Sequence, residues 1–228
     1  MELKVDYTKC NTVESNNQIQ KNQCVSKITK NENGLRVIFI GNSITRHAPK
    51  PEIGWLGDWG MAASQEKYDY VHRVVAELEK RYGAINYCIV NVAEWESDYP
   101  KGLDLLQQHY KEAREFCADI VIIRIGENMK NDMLAEVDCK PFFEDMIRFF
   151  TPNQKAKVVV TDSFWQRKEL DCTIAEIAQE NGYTFCRLHD LQENEKTMAL
   201  GQFEHKGVAI HPSDYGMECI AKRILDVI

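Results

Sequence analysis

An α/β fold, a three-layer α/β/α sandwich on a five-stranded parallel sheet, is predicted for this chain by three observations. Short apolar runs alternate with amphipathic stretches of helical period. Each apolar run is long enough for a strand and too short for a buried helix. The segments between successive runs are long enough for helical crossovers, which parallel strands require.

The elements follow in order. LRVIFI, from Leu35, reads as a strand buried on both faces. Val71, Val74, Val75 and Leu78 keep the i, i+3, i+4, i+7 spacing of a helix, and Gly83 is placed to end it. INYCIVNV is the second strand. Leu103, Leu106, Tyr110 and Ala113 mark a second helix, and IVIIRI is the third strand. Phe142, Phe143, Met146 and Phe150 mark a third helix, closed by Thr151-Pro152 before the strand KVVVTD. Leu170, Ile174, Ile177 and Ala178 stripe a fourth helix, YTFCRL is the fifth strand, and Met217, Ile220, Ala221, Ile224 and Leu225 mark the last helix. The arrangement is flavodoxin-like.

Residues 1–34 are rich in Asn, Gln, Lys, Ser and Thr and offer little to bury, so they read as a polar extension or linker ahead of one domain over 35–228. A hydrophobic fraction of 44% in 228 residues is enough for one core. The net charge of −7 disfavours nucleic acid and anionic membranes as partners. The eight cysteines form no CxxC pair and no histidine has HExxH spacing, so no metal or other cofactor is implied. The first residues contain no apolar signal region, which favours the cytoplasm; a secreted or periplasmic chain whose leader had been removed would read alike. The oligomeric state is not legible.

In an open parallel sheet, function gathers beyond the carboxyl ends of the strands. There the chain carries Gly41-Asn42-Ser43-Ile44-Thr45, Asn91 to Glu96, Gly126-Glu127-Asn128 and, before the last helix, His211-Pro212. Alone, Ser43 reads as a helix cap or anion-site residue, Asn128 as a turn residue and His211 as a residue preceding a helix. Together they supply a hydroxyl, an imidazole, an amide and loop N–H groups, which is what acyl transfer through a serine requires.

These segments resemble the motif blocks of the SGNH (GDSL-type) hydrolases, and the likeness runs from about Leu35 to the end of the chain. VIFIGNSIT is similar to the block whose Gly-Asp-Ser serine is the nucleophile, IRIGEN to the Gly-x-Asn-Asp block, and HPSDYGMECIAKRI to the block whose histidine is the base. The resemblance implies the SGNH hydrolase fold, with Ser43 and His211 catalytic. It also implies an oxyanion held by the Ser43 N–H, the Asn128 amide and the N–H of Glu96, which stands where the family has glycine.

Two departures matter. The family's aspartate three residues before the histidine is Val208 here. A backbone carbonyl is the favoured substitute for orienting the ring, with Glu204, Asp214, Glu96 and Glu127 as other acids within reach. The Glu96 carboxylate is expected to turn away from the oxyanion or pair with Arg46. The long loop after Ser43 is expected to cover the site, with Trp55 and Trp59 offering faces to substrate or anchoring the loop. Trp95 and Trp165 should approach the same edge, where Trp95 is expected to join Trp55 and Trp59 in contacting substrate, the alternative for both being the core. The expected activity is hydrolysis of a small ester, an acetyl group on carbohydrate being preferred. An acyltransferase, a catalytically silent binding domain and a phosphate or nucleotide binder are the alternatives.

Overall fold

In the computed structural model, which describes residues 18–228, a six-stranded sheet has the order β1-β3-β2-β4-β5-β6. The strands are β1 Val25–Ile28, β2 Arg36–Gly41, β3 Asn86–Asn91, β4 Ile120–Arg124, β5 Lys157–Thr161 and β6 Thr184–Cys186. All neighbours pair in parallel except β1, which runs antiparallel to β3 with Val25 opposite Val90. The helices are α1 Tyr70–Tyr82, α2 Ala93–Ser97, α3 Gly102–Glu115, α4 Asn131–Glu136, α5 Lys140–Phe150, α6 Lys168–Asn181, α7 Lys206–Ala209 and α8 Asp214–Val227.

The sheet is therefore one strand wider than expected, and the extra strand lies in the segment read as a linker. Val25–Ile28 escapes pattern reading because an edge strand of four residues is only half buried and has no continuous apolar run. Residues 1–17 of that expected linker lie outside the described residues.

Alternation along β2 divides the core. Val37 and Phe39 point to one face, where α1 and α8 pack with Val71, Val74, Leu78, Ile220 and Ile224. Ile38 and Ile40 point to the other, where α3, α5 and α6 contribute Leu106, Phe143, Met146 and Ile174. Both faces of the sheet are thus covered, and each fully buried aliphatic side chain contributes ~1.5–3 kcal/mol. On α3 the buried stripe runs through Leu105 and Leu106, and Leu103 is exposed. Asp69 caps α1 by accepting from the His72 N–H at 2.8 Å, and Gly83 follows its last turn at φ 77°. Among the described residues no helix is long and apolar enough to cross a membrane.

Candidate active site

The strand β2 ends at Gly41 and the chain turns at once, with Thr45 N–H and Arg46 N–H both donating to the Asn42 carbonyl. Only glycine fits at 41, because a Cβ there would lie 1.8 Å from Thr45 Oγ1. The turn lifts Ser43 to the carboxyl edge of the sheet, where its Oγ is 2.8 Å from His211 Nε2. No acceptor engages the Ser43 N–H among the described residues.

His211 follows the single-turn helix α7, and its Nδ1 is 2.6 Å from the Gly207 carbonyl. A carbonyl can only accept, so Nδ1 carries the proton and the Nε2 lone pair faces the serine. The indole of Trp165 meets the imidazole edge to face, with centroids 5.0 Å apart. Burial pushes the imidazole down to about 3, against the opposing pull of the Gly207 carbonyl, and keeps it neutral.

Among the described residues, no carboxylate hydrogen-bonds His211. Asp214 accepts from Ser64 N–H and Oγ, Glu204 is exposed, Glu127 pairs with Arg124, and Glu96 faces Asn128. Val208 is fully buried in a small apolar cluster with Trp55, Met61, Ala62 and Ala199.

Beneath the serine lies a buried polar network. Arg124 and Glu127 form an ion pair at 2.5 Å with both side chains at most 3% exposed. Burial opposes both charges, but each partner's field overrides it, so Arg124 is held higher and Glu127 lower than usual. Asn42 ties the pair to the turn: its Oδ1 accepts from Arg124 and from Ile44 N–H, and its Nδ2 donates to Glu127 at 2.6 Å and Glu96 at 3.2 Å. Glu127 also accepts from the Phe164 N–H at 2.9 Å. Arg124 carries no motif of its own inside the run IVIIRI. The available signal was that an arginine in a strand buried on both faces needs an acid, and Glu127 stands three residues on.

Three expectations require correction. First, the Glu96 N–H donates to the Val92 carbonyl at 2.9 Å as part of α2, so it is not available to an oxyanion. Second, the Glu96 carboxylate does not meet Arg46, which pairs with Asp58 at 2.9 Å. It is fully buried and accepts from Gly126 N–H at 2.6 Å, Asn128 N–H at 3.3 Å and Asn128 Nδ2 at 2.6 Å. Burial and the charge of Glu127 push it up, to about 7, against these donors. Third, Trp95 is a core residue packed on Tyr99 and Phe143, because α2 turns its side chain under the sheet edge.

Trp55 and Trp59 stay with the loop. Trp55 is buried with its indole N–H on the His47 carbonyl at 3.1 Å, and Trp59 meets it edge-on at 5.7 Å while donating to the Ala63 carbonyl at 2.8 Å. Both anchor the loop to the body. Asn128 is buried beside the site, and with Trp165 it forms part of the wall of a cleft of about 890 Å³. Lys130, Asn131, Gln166 and Arg167 line the cleft further out. Arg167 donates to the Gly126 and Met129 carbonyls, each at 2.5 Å, and so brackets the loop that carries Asn128.

No family model matches the sequence and no curated protein matches it. Among solved structures, the chain is similar to a candidate GDSL-like lipase of Bacteroides uniformis, at 14% identity and TM-score 0.53, over 86% of this chain and 96% of the other. A GDSL-like lipase of Bacteroides thetaiotaomicron is looser, at 15% identity and TM-score 0.44 over 84% and 86% of the two chains, and carries no weight. The first likeness establishes the GDSL-type α/β/α fold.

Proposed function

We propose that this protein is a serine ester hydrolase with Ser43 as nucleophile and His211 as general base. The observation that carries the reading is the Ser43 Oγ to His211 Nε2 contact at 2.8 Å, with Nδ1 turned onto the Gly207 carbonyl. A serine hydroxyl is a weak nucleophile until a base accepts its proton, and this imidazole is held in the one tautomer that can do so.

As Oγ attacks the ester carbonyl, Nε2 takes the hydroxyl proton and negative charge collects on the carbonyl oxygen. The Ser43 N–H and the second Nδ2 hydrogen of Asn128 are the donors for that oxyanion. Collapse breaks the ester C–O bond, and the imidazolium returns its proton to the departing alkoxide. Water then attacks the acyl-serine with His211 again as base, releasing the acid. The Gly207 carbonyl fixes the ring but carries no charge to stabilise the imidazolium, so slower turnover than in a full triad is expected.

The preferred substrate is a small acyl ester, an acetyl group on a carbohydrate. The cleft beside Asn128 and Trp165, which Ser43 and His211 do not themselves line, sets Lys130, Asn131, Gln166 and Arg167 among apolar side chains such as Leu134 and Leu170, a mixed lining that can take a hydroxylated alcohol portion. The test is hydrolysis of p-nitrophenyl acetate and of acetylated sugars by wild type and Ser43→Ala. Loss of both activities in the variant supports the reading; equal rates overturn it and bring a non-catalytic binding role forward.

A further inference from the structure

One hydrogen-bonded chain of amides runs through the site in a single direction. The Ala93 N–H donates to Asn91 Oδ1 at 2.9 Å, and Asn91 Nδ2 donates to Gln18 Oε1 at 3.2 Å. Gln18 Nε2 donates to Asn128 Oδ1 at 3.0 Å, and Asn128 Nδ2 donates to Glu96 Oε2 at 2.6 Å. Gln18, Asn91, Asn128 and Glu96 are all buried.

Both ends of the chain are fixed. A backbone N–H can only donate, so the Asn91 atom that it meets is the oxygen. That leaves the Asn91 nitrogen facing Gln18, makes the Gln18 atom there an oxygen, and sends the Gln18 nitrogen to the Asn128 oxygen. From the other end, the ionised Glu96 carboxylate can only accept, at Oε1 from the Gly126 and Asn128 N–H groups and at Oε2 from the Asn128 side chain, whose nitrogen therefore faces it. The two assignments agree at Asn128.

We propose that Gln18, from the segment ahead of the first parallel strand, is a positioning residue that holds the Asn128 amide so that one Nδ2 hydrogen points to the oxyanion. The proposal rests on the reading of Asn128 as an oxyanion donor. Gln18 and Glu96 grip the amide at its oxygen and its nitrogen, so it can neither flip nor swing. One of its two Nδ2 hydrogens is used by Glu96, and the other has no acceptor among the described residues. Donation into Oδ1 also polarises the amide, and such chains strengthen each successive donor. Gln18 is tied down further where its carbonyl accepts from the Ala48 N–H at 3.1 Å, five residues after the serine. The amino-terminal segment thus reaches both sides of the site, which a passive linker would not do.

The experiment is a double-mutant cycle on p-nitrophenyl acetate with Gln18→Met, Asn128→Ala and the pair, alongside Ser43→Ala. Gln18→Met keeps the bulk and removes the donor. Its kcat is expected to fall about fivefold to tenfold, the size of one neutral hydrogen bond, with KM within about twofold. In the Asn128→Ala background the same substitution is expected to change kcat less than about twofold, because the group it acts through is gone. A loss of equal size in both backgrounds, or no loss in either, overturns the proposal. If Gln18→Met does not fold, Gln18→Ala, which leaves room for water, is run through the same cycle. Failure of the esterase reading shows separately, as activity retained in Ser43→Ala.

Discussion

His211 Nδ1 lies 2.6 Å from the carbonyl oxygen of Gly207, a residue of the one-turn helix that immediately precedes it. The contact takes over the orienting half of a triad acid's work without its charge. It also means that position 208, where the acid would be sought in sequence, points elsewhere, into the cluster with Trp55.

Installing the acid at that position is expected to harm the protein. Val208→Asp would place an unpaired carboxylate in an apolar cluster, at a cost of about 3 kcal/mol or more. Chemical denaturation should show the loss, and kcat of the protein that remains folded should not rise in the proposed reaction. A gain in kcat would mean that the aspartate can turn to His211.

The acid limb of the pH profile should belong to Glu96. Burial keeps His211 neutral down to about 3, so its titration leaves activity near neutral pH untouched. Burial and the charge of Glu127 push the Glu96 carboxyl up to about 7, and in its ionised form it accepts the Asn128 amide and two backbone N–H groups. Protonation would turn a hydrogen toward those donors and loosen Asn128. Activity should therefore be present above about 7 and decline as pH falls through that value, and Glu96→Gln should have a lower but flat kcat. A limb that survives in the variant would assign the titration to another group.

Trp165 should matter through the ring that it supports. Its edge-to-face contact with His211 at 5.0 Å predicts that Trp165→Ala lowers kcat about tenfold, while Trp165→Phe stays within about threefold, in line with ~0.5–1.5 kcal/mol for such a pair. Equal losses in Ala and Phe variants would point to the indole nitrogen or to the cleft wall instead.

Gly126 holds φ 132°, and a Cβ there would meet Ser163 Oγ at 2.7 Å. Gly126→Ala is expected to cost about 2 kcal/mol in thermal or denaturant unfolding and to reduce kcat further than stability explains, since the Gly126 N–H anchors Glu96. Wild-type stability would show that the loop relaxes freely.

The parallel strands were legible because strands buried on both faces are written as apolar runs, and the helices because one face of each is apolar. That Ser43 and His211 meet was legible because strand ends gather at one edge. β1 was not, since a short edge strand buries too little to leave a pattern. Glu96 is expected as a backbone donor because it stands where the family has glycine, but its N–H is spent inside a short helix that no stripe announces, and its carboxylate instead accepts from the Asn128 amide. Gln18 had no signal at all, because its partners Asn91 and Asn128 are 73 and 110 residues away.

Ser43 and His211 are separated by 168 positions, and no helix or strand contains both. The interval is bridged by the small cluster in which Trp55, Met61 and Ala62 of the serine's loop close on Ala199 and Val208 of the histidine's loop, and by the large core, in which Ile44 and Ala63 share a cluster with Met198 and Ile210. Trp59 packs against both, so the two are joined. The geometry of the pair is thus tied to the face of the sandwich that α1 and α8 cover, and residual activity on heating should fall together with the loss of helical circular dichroism rather than ahead of it.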